Sequence, residues 1–495
     1  MERHKEICIT INGTQSITLP PIGRGGKPTT VKYKQTGKEL KKPFIVYADF
    51  EALVETPTDN PTLRGTSTKV LQKQTCCGYA FKIVCVDEQF SKPIKVYRGE
   101  KAAFKFLMEM LEVEKYCEDV FNEHFKKSML PLTDEELELH NNAEECYLCK
   151  AAFKGVKPYE DKVKDHCHVT GKYRGPAHNQ CNLNLRFKNT IPVVFHNLRG
   201  YDSHFLIQEI GKFKDRLIKI IPNNYEKYLS IRWGKLQFID SLQFMNESLE
   251  KLASYLKASK RGYPNTERFL STATALSAGT NQKELLQLIT QKGVYPYEYI
   301  DSFDKFKETE LPPIEHFYSS LTEEGISDVD YSHAKSVWDK FKIKNLGEYH
   351  NLYIKTDVLL LSDVFENFRK ICYECYKLDP AHYFTAPGLS WDAMLKMTGI
   401  ELELLSDIDM HLFIEKGIRG GISVISKRYA KANNKYIPSS PLQGPSSCGG
   451  EPSNYIMYLD ANNLYGWAMS QKLATSSFKW YKTKYLEKDV IQSNV

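Results

Sequence analysis

The sequence predicts a multi-domain α/β protein, and three observations carry that prediction. Short β-type runs alternate with helically spaced apolar stretches along most of the chain. The β pattern stops near residue 115 and resumes near 191, with a charged, cysteine-bearing segment between, as an insertion would do. At 495 residues the chain is several times the length of one domain. Taken in order, residues 1–43 are polar and include the basic Gly/Pro stretch PIGRGGKP (21–28), so they read as an arm with little structure of its own. FIVYADFE (44–51) is an apolar β-type run that ends in two acids, and YAFKIVCV (79–86) and IKVYR (94–98) follow as strands. Residues 101–113 space Phe, Leu and Met as a helix does. After the insertion come PVVFH (192–196), KIIP (219–222), YLSIRW (228–233) and KLQFID (235–240), with Gly234 placed to turn the last two into a hairpin. Residues 257–345 are polar and mixed, suiting short helices and loops, and Glu348 to Tyr376 form one long amphipathic helix. A Pro/Ser/Gly-rich loop (436–454) precedes a last β-type run, YIMYLD (455–460). The expected divisions are thus 1–43, an α/β domain of 44–114 with 191–376, an insertion at 115–190, and a final part at 377–495.

Composition narrows the class without naming the chemistry. With 42% hydrophobic and 26% charged residues the chain is not disordered throughout. Lys plus Arg number 67 against 61 acids, and the resulting +6 neither proves nor excludes a polyanionic partner. The start, MERHKE, lacks the apolar region of a secretory signal, and no apolar run approaches the ~18 residues of a membrane helix. Twelve cysteines in so long a chain read as reduced thiols with room for a metal site. The expectation is an intracellular, unsecreted protein with no membrane partner.

Four acids stand where an α/β domain could gather them. Asp49 and Glu51 end the first strand and share a face, because strand periodicity is two. Asp202 follows PVVFH through the turn NLRGYD and would start a helix. Asp357 lies one helical turn after Tyr353, so phenol and carboxylate share a face. Carboxylates converging from separate elements bind two divalent metals about 4 Å apart, and all-oxygen ligation suits Mg2+ or Mn2+. Other pairs with the same spacing carry less. Asp134 and Glu136 sit in a Thr133-led capping box, and Tyr297 with Asp301 lies beside Pro296, outside a convincing helix.

As an ordered set these motifs resemble the 3′–5′ exonuclease of family B DNA polymerases, especially the protein-primed branch carried by Maverick/Polinton elements and related viruses. YADFE (47–51), HNLRGYD (196–202) and YIKTD (353–357) look like its three exonuclease motifs. FIDSLQFM (238–245) is similar to the element that holds the single-stranded primer end. The resemblance implies a ribonuclease H-like fold in which Asp49, Glu51, Asp202 and Asp357 ligate metal and Tyr353 orients the attacking water. It gives Asn197, Ser241 and Leu242 contact with the strand. GIRGGIS (417–423) is similar to the motif that joins exonuclease to polymerase, with Ile418 where an aromatic is usual. YLDANNLYG (458–466) looks like polymerase motif A, which would make Asp460 a metal ligand and put Tyr465 under the incoming sugar. The later palm motifs, a second metal-binding Asp and a triphosphate-gripping Lys, do not occur in the sequence, so the 377–495 part reads as a partial palm and this chain alone is not expected to polymerise DNA.

Within the insertion, Cys146-x2-Cys149 and His178-x2-Cys181 pair four N/S ligands across 28 intervening residues, a spacing that suits tetrahedral structural Zn2+. Four of the twelve cysteines fall between 146 and 181; Cys167 is the spare, and His168 is an alternative to His178 as ligand. DHCHVTGKYRG (165–175), followed by Asn182, resembles the His-Me finger of endonuclease VII-like recombination nucleases. That resemblance implies His166 as the general base, Asp165 and Asn182 as holders of one Mg2+, and Lys172 and Arg174 as phosphate contacts. The bland reading of the same residues is a zinc-stabilised DNA-binding insertion. Cys372 and Cys375 read as buried thiols, and Cys76-Cys77 have no evident role.

The leading expectation is the N-terminal part of a protein-primed family B DNA polymerase, trimming single-stranded 3′ ends with Mg2+ or Mn2+. Its partners would be DNA, as a template-primer or a free 3′ end, and a protein primer; a nuclear site follows if a eukaryotic mobile element carries it. Two other readings stand beside it. One is a His-Me finger DNA endonuclease with vestigial carboxylates; the other is a non-catalytic DNA-binding remnant.

Overall fold

The computed structural model describes residues 18–23, 26–57, 70, 72–153, 162–185, 190–224, 226–259, 261–272, 281–320, 322–418, 424, 427–437 and 453–480. The chain divides into two units, one of Tyr33–Thr398 and one that joins Met1–Lys32 to Gly399–Val495.

In the larger unit a seven-stranded mixed sheet is built from β1 (Phe44–Glu55), β2 (Lys73–Cys85), β3 (Lys95–Arg98), β6 (Ile191–Phe195), β7 (Ile218–Pro222), β8 (Tyr228–Trp233) and β9 (Leu236–Asp240). Their order is β3-β2-β1-β6-β9-β8-β7. The strands expected from the sequence within this unit form, and β1 and β2 run longer than expected. Gly234, at φ 63°, makes the two-residue turn between β8 and β9, a conformation that favours glycine.

β1, β6 and β9 are parallel to one another, with Tyr47 opposite Val194 and Asp240 opposite Phe195. Their carboxyl ends therefore meet at one edge of the sheet, where open α/β sheets place their ligands. Alternation along β1 splits the core. Val46, Ala48 and Phe50 face helix α1 (Ala102–His124), through Phe106, Leu107 and Met110. Ile45 and Tyr47 face the long helix α9 (Leu346–Tyr376), through Ile354, Val358 and Leu361. Burying each large apolar side chain contributes roughly 1.5–3 kcal/mol, so both helices are held on the sheet by many such contacts. Helix α1 runs well past 113, because Val113, Cys117 and Val120 still face the core where the charged texture suggested the insertion had begun.

A buried ionic knot joins the start of β1 to the far end of α9. Arg369 donates to Asp379 at 2.6 and 2.9 Å and to Glu366 at 2.8 Å, while Tyr47 donates to Glu366 at 2.6 Å. The backbone N–H of Lys42 donates to Asp379 at 2.7 Å. Burial alone would raise the Asp379 carboxyl, but Arg369 holds it down at about 2. Residues 33–43 thus belong to the folded unit rather than to a free arm, with Leu40 and Lys42 buried. Residues 377–398, including helix α10 (Ala386–Thr398), also lie in it.

The insertion carries helix α2 (Asp134–Asn142), a hairpin of β4 (Lys162–His166) and β5 (Tyr173–His178), and helix α3 (Asn179–Asn184). Thr133 forms its capping box: its Oγ accepts from the Glu136 N–H at 3.2 Å, and Glu136 accepts from the Thr133 N–H at 3.0 Å. Helix α4 (Ser203–Ile210) lies between β6 and β7, and between β9 and α9 come α5 (Leu249–Ala258), α6 (Pro264–Thr272), α7 (Gln282–Ile289) and α8 (Asp328–Lys340).

In the smaller unit, two-residue strands Thr30–Val31 and Leu402–Glu403 pair antiparallel, and helices span Ile408–Gly417 and Leu464–Ser470. The expected strand at 455–460 does not form: these residues are exposed and carry no ladder hydrogen bonds. An apolar run needs a partner strand, and the described residues offer it none. Residues 419–423 of the GIRGGIS stretch lie outside the described residues, as does most of the Pro/Ser/Gly-rich loop.

Candidate metal and nuclease sites

The middle of β1, which runs four residues past Glu51, puts Asp49 and Glu51 on the face beneath α9, and α9 supplies Asp357 from above. One carboxylate oxygen from each of the three lies within 4.8 Å of the others. Asp202 stands at the start of α4, only 1% exposed, and its Oδ1 has no hydrogen-bond partner among the described residues. Oδ1 of Asp357 is likewise buried and unsatisfied. Burial and then the Asp357 charge push the Asp49 carboxyl up to about 8. Glu51 is raised by burial, then by Asp49 and Asp357; Asp202 is raised by burial, then by Asp49. Asp202 therefore joins the group electrostatically while lying outside the tight trio.

One cation answers this crowd among the described residues: Lys292, whose Nζ lies 3.2 Å from Asp357 Oδ2. The Asp357 charge holds its ammonium well above its ordinary value. Four carboxylates against one lysine leave a strong local excess of negative charge in a buried place. Two orphaned carboxylate oxygens add an unmet need for donors or cations. An all-oxygen donor set of this kind fits hard divalent ions.

Tyr353 lies one turn before Asp357 on α9, with its hydroxyl 2.8 Å from that of Tyr297. Tyr295 stacks on the Tyr353 ring at 4.8 Å and bonds His350 Nδ1 at 2.6 Å. Lys292, Tyr295 and Tyr297 were not legible as site residues. Tyr297 did show a suggestive spacing to Asp301, but Asp301 is exposed and it is Tyr297 that enters the site, from a loop. Their signal was a lysine followed closely by three tyrosines, KGVYPYEY (292–299).

The HNLRGYD turn leaves β6 with Asn197 exposed at φ 69°. Gly200 leaves room for the Asn197 side chain, whose Oδ1 a Cβ there would meet at 2.4 Å. Asp240, fully buried at the end of β9, accepts from the backbone N–H groups of Asn197 (2.9 Å), Arg199 (3.1 Å) and Leu242 (3.0 Å). It clamps the second motif to the Ser-Leu element, a role the sequence did not reveal. Ser241 is 0% exposed, and its Oγ lies 2.9 Å from His196 Nδ1. Its hydroxyl braces His196 instead of facing a strand, while Asn197 and Leu242 keep open surface.

In the insertion Cys146, Cys149, His178 and Cys181 come together, their ligand atoms within 4.8 Å of one another. His178 Nδ1 lies 3.4 Å from Cys149 Sγ and 4.0 Å from Cys181 Sγ. Its Nε2 lies 3.3 Å from the Ala152 carbonyl, the outer hydrogen bond that orients a ligating imidazole. Burial raises the Cys146 thiol, but backbone N–H groups of Cys149, His178 and Leu148 bring it down to about 7. Three sulfurs and one imidazole suit a tetrahedral structural metal. His168 lies outside this quartet, with its ring 4.5 Å from that of His166. Cys372 is buried as expected, but Cys375 is exposed.

The other finger residues are arranged differently from the expectation. Asp165 is 1% exposed and receives two bonds from Arg174, at 2.7 and 2.8 Å, and one from the Tyr147 hydroxyl. Its carboxylate is thus satisfied by the guanidinium of Arg174, which is itself part-buried. His166 is half-buried with Nε2 3.3 Å from the Lys127 carbonyl; Lys172 is exposed and Asn182 half-buried on α3. In the smaller unit Asp460 and Tyr465 are both exposed, and Asp460 belongs to no metal-type group among the described residues.

The chain thus carries two candidate metal sites, acids at a sheet edge and a quartet of three cysteines and one histidine. Residues 184–437, slightly more than half of the chain, match the family model for DNA polymerase type B, organellar and viral, and the chain belongs to that family. The match covers Asp202, Ser241, Tyr353 and Asp357 and leaves Asp49, Glu51 and Asp460 outside it. Residues 123–198 match the model for recombination endonuclease VII, which spans the finger. A protein of Neurospora intermedia described as a probable DNA polymerase is 24% identical over 275 residues, which are 52% of this chain. The matched part is 24% of that relative, so the chain spans about a quarter of its length. Among the described residues no helix is long and apolar enough to cross a membrane.

Proposed function

We propose that the larger unit is a ribonuclease H-like 3′–5′ exonuclease acting on single-stranded DNA ends, within a protein-primed type B DNA polymerase. The observation that carries this reading is the convergence of Asp49, Glu51 and Asp357, with buried, unsatisfied Asp202, at the carboxyl edge of three parallel strands. Asp49, Glu51, Asp202 and Asp357 would hold Mg2+ or Mn2+. Bound ions supply activation of water and stabilisation of the departing oxygen. Tyr353, fixed by Tyr297 and Tyr295, orients the water with its hydroxyl, and Lys292 holds the Asp357 carboxylate in place. Asn197 and Leu242 contact the strand, supported by Asp240. Water adds to the terminal phosphorus, the bond to the preceding 3′ oxygen breaks, and a nucleoside monophosphate leaves a chain shortened by one.

The finger, with Zn2+ on Cys146, Cys149, His178 and Cys181, serves as a DNA-binding insertion. Its match to endonuclease VII favours a second reading, in which half-exposed His166 is the base of an endonuclease. Template-directed synthesis from a protein primer is assigned to the whole protein, with Asp460 as a palm carboxylate and Tyr465 beneath the incoming sugar. The test is 5′-labelled single-stranded DNA incubated with Mg2+ and the wild type, Asp49→Ala, Asp357→Ala and His166→Ala. The first reading expects a ladder shortening from the 3′ end that both aspartate variants lose and His166→Ala keeps. Internal cuts lost only with His166→Ala would establish the second reading, and an inert, folded wild type would sink both.

A further inference from the structure

Cations that neither site uses collect around another part of α9. Lys355 lies two residues from both Tyr353 and Asp357, roughly 200° round the helix from each. It borders a cleft of about 340 Å³ between β2, residues 88–94, α6 and α9. Lys82, Lys92, Arg268 and Lys355 line this cleft, with Leu359 and Phe269 as apolar wall. Glu88 is the carboxylate in the lining, and it is already paired with Arg268. Lys82 is only 4% exposed, yet no described residue gives its ammonium a hydrogen bond or an ion pair. Asp363, the other acid that influences it, is engaged by the N–H groups of Asn265 and Thr266 and by the Thr266 hydroxyl. Burial, and then Arg268, lower the Lys82 pKa, and burial lowers that of Lys355.

An ammonium without a carboxylate partner on a stem that is almost wholly buried is costly, and the cost is offset when an anion enters beside it. Lys355 and Lys92 line the same small volume, Lys92 with its ammonium 4.3 Å from the Tyr116 ring, while the Arg268 charge is balanced by Glu88, so the lining keeps a net positive charge that apolar walls strengthen. Lysines meet phosphate as point charges without needing a fixed fork. We propose that this cleft binds a phosphate group, with Lys82 as the buried anchor and Lys355, Lys92 and Arg268 around it. The phosphate comes either from the backbone of a nucleic-acid strand or from a free nucleotide. The inference does not rest on the exonuclease reading, because it uses none of those residues.

The test uses the full chain in magnesium-free buffer. Inorganic phosphate is titrated against chloride at constant ionic strength, and the thermal midpoint is read for the wild type, Lys82→Met and Lys355→Gln. Phosphate should raise the wild-type midpoint, with apparent affinity at least tenfold weaker in each variant. Lys82→Met removes an unpaired buried charge and is expected to fold; Lys355→Gln, on a half-exposed position, decides the matter if it does not. Anisotropy of a 5′-labelled single-stranded oligonucleotide, with deoxyadenosine monophosphate as competitor, separates the sources. A tenfold loss of oligonucleotide affinity in the variants, with a salt slope shallower by about 0.7, assigns the backbone. Unchanged oligonucleotide affinity with a lost monophosphate response assigns the free nucleotide. No phosphate response in the wild type, or a wild-type response in both variants, overturns the proposal. Catalysis enters none of these readouts, so failure here leaves the exonuclease reading standing.

Discussion

Two groups of acids in this chain started from similar sequence signals and end in opposite electrostatic states. At the sheet edge, Asp49, Glu51, Asp202 and Asp357 face one lysine among the described residues, which also leave two buried carboxylate oxygens without a partner. In the finger, Asp165 is neutralised by Arg174 and further bonded by Tyr147. A carboxylate with its bonds filled gains little from a metal, whereas crowded carboxylates with orphaned oxygens are destabilised until cations arrive. The lesson is that the presence of an acid in a motif predicts less than the number of donors already aimed at it. The same contrast separates the quartet of Cys146, Cys149, His178 and Cys181 from Asp460, which is exposed and, among the described residues, outside any such group.

The largest effect that would break this comparison is on DNA trimming. Asp357→Ala should lower Mg2+-dependent 3′ trimming by about 10³–10⁵-fold with the fold intact, while Asp165→Ala stays within about fivefold of the wild type. Equal losses in the two would erase the distinction. Asp165→Ala should instead act on stability, since it leaves Arg174 part-buried and unpaired. The expected cost is about 3–5 kcal/mol within the finger, seen as faster amide exchange over 162–178. Asp165→Leu with Arg174→Met, which removes both charges, should recover most of that protection.

A smaller effect concerns pH. His350 is fully buried, and burial followed by the Arg98 charge lowers it to about 3. Its folded value lies below its unfolded one, near 6.5, so the unfolded chain binds the proton first. Stability is therefore complete above about 6.5 and falls as pH drops toward 3, by about 3 kcal/mol at pH 4. Denaturant midpoints of His350→Leu should show a flatter pH dependence over that window. The smallest effect is a gain: Glu51→Gln relieves like-charge crowding and should raise metal-free stability by about 1–2 kcal/mol in denaturant unfolding, while trimming is lost.

Much of this architecture was legible because it obeys simple periods. Alternation placed Asp49 and Glu51 on one face, and the three-and-four spacing of 348–376 put Tyr353 over Asp357. The zinc-type quartet followed from its paired spacing. Other features have no local period. Lys292 is one of 67 Lys and Arg residues, and only the fold brings it to Asp357. Asp240 and Ser241 read as part of a strand-binding element, but their hydrogen bonds to Asn197 and His196 exist only once β6 and β9 pair. The Asp165–Arg174 pair depends on the hairpin register, which sets Asp165 opposite Gly175, next to Arg174. YIMYLD was misread because an apolar alternation says nothing of whether a neighbouring strand is there to receive it.

The account rests on the sheet-edge carboxylates, and not the finger's Asp165, holding the divalent ions. Counting Mn2+ by electron paramagnetic resonance on the zinc-loaded chain tests this most directly. The account predicts two bound Mn2+ per chain, lost in Asp49→Ala and retained in Asp165→Ala. Mn2+ that survives Asp49→Ala and disappears with Asp165→Ala would contradict it.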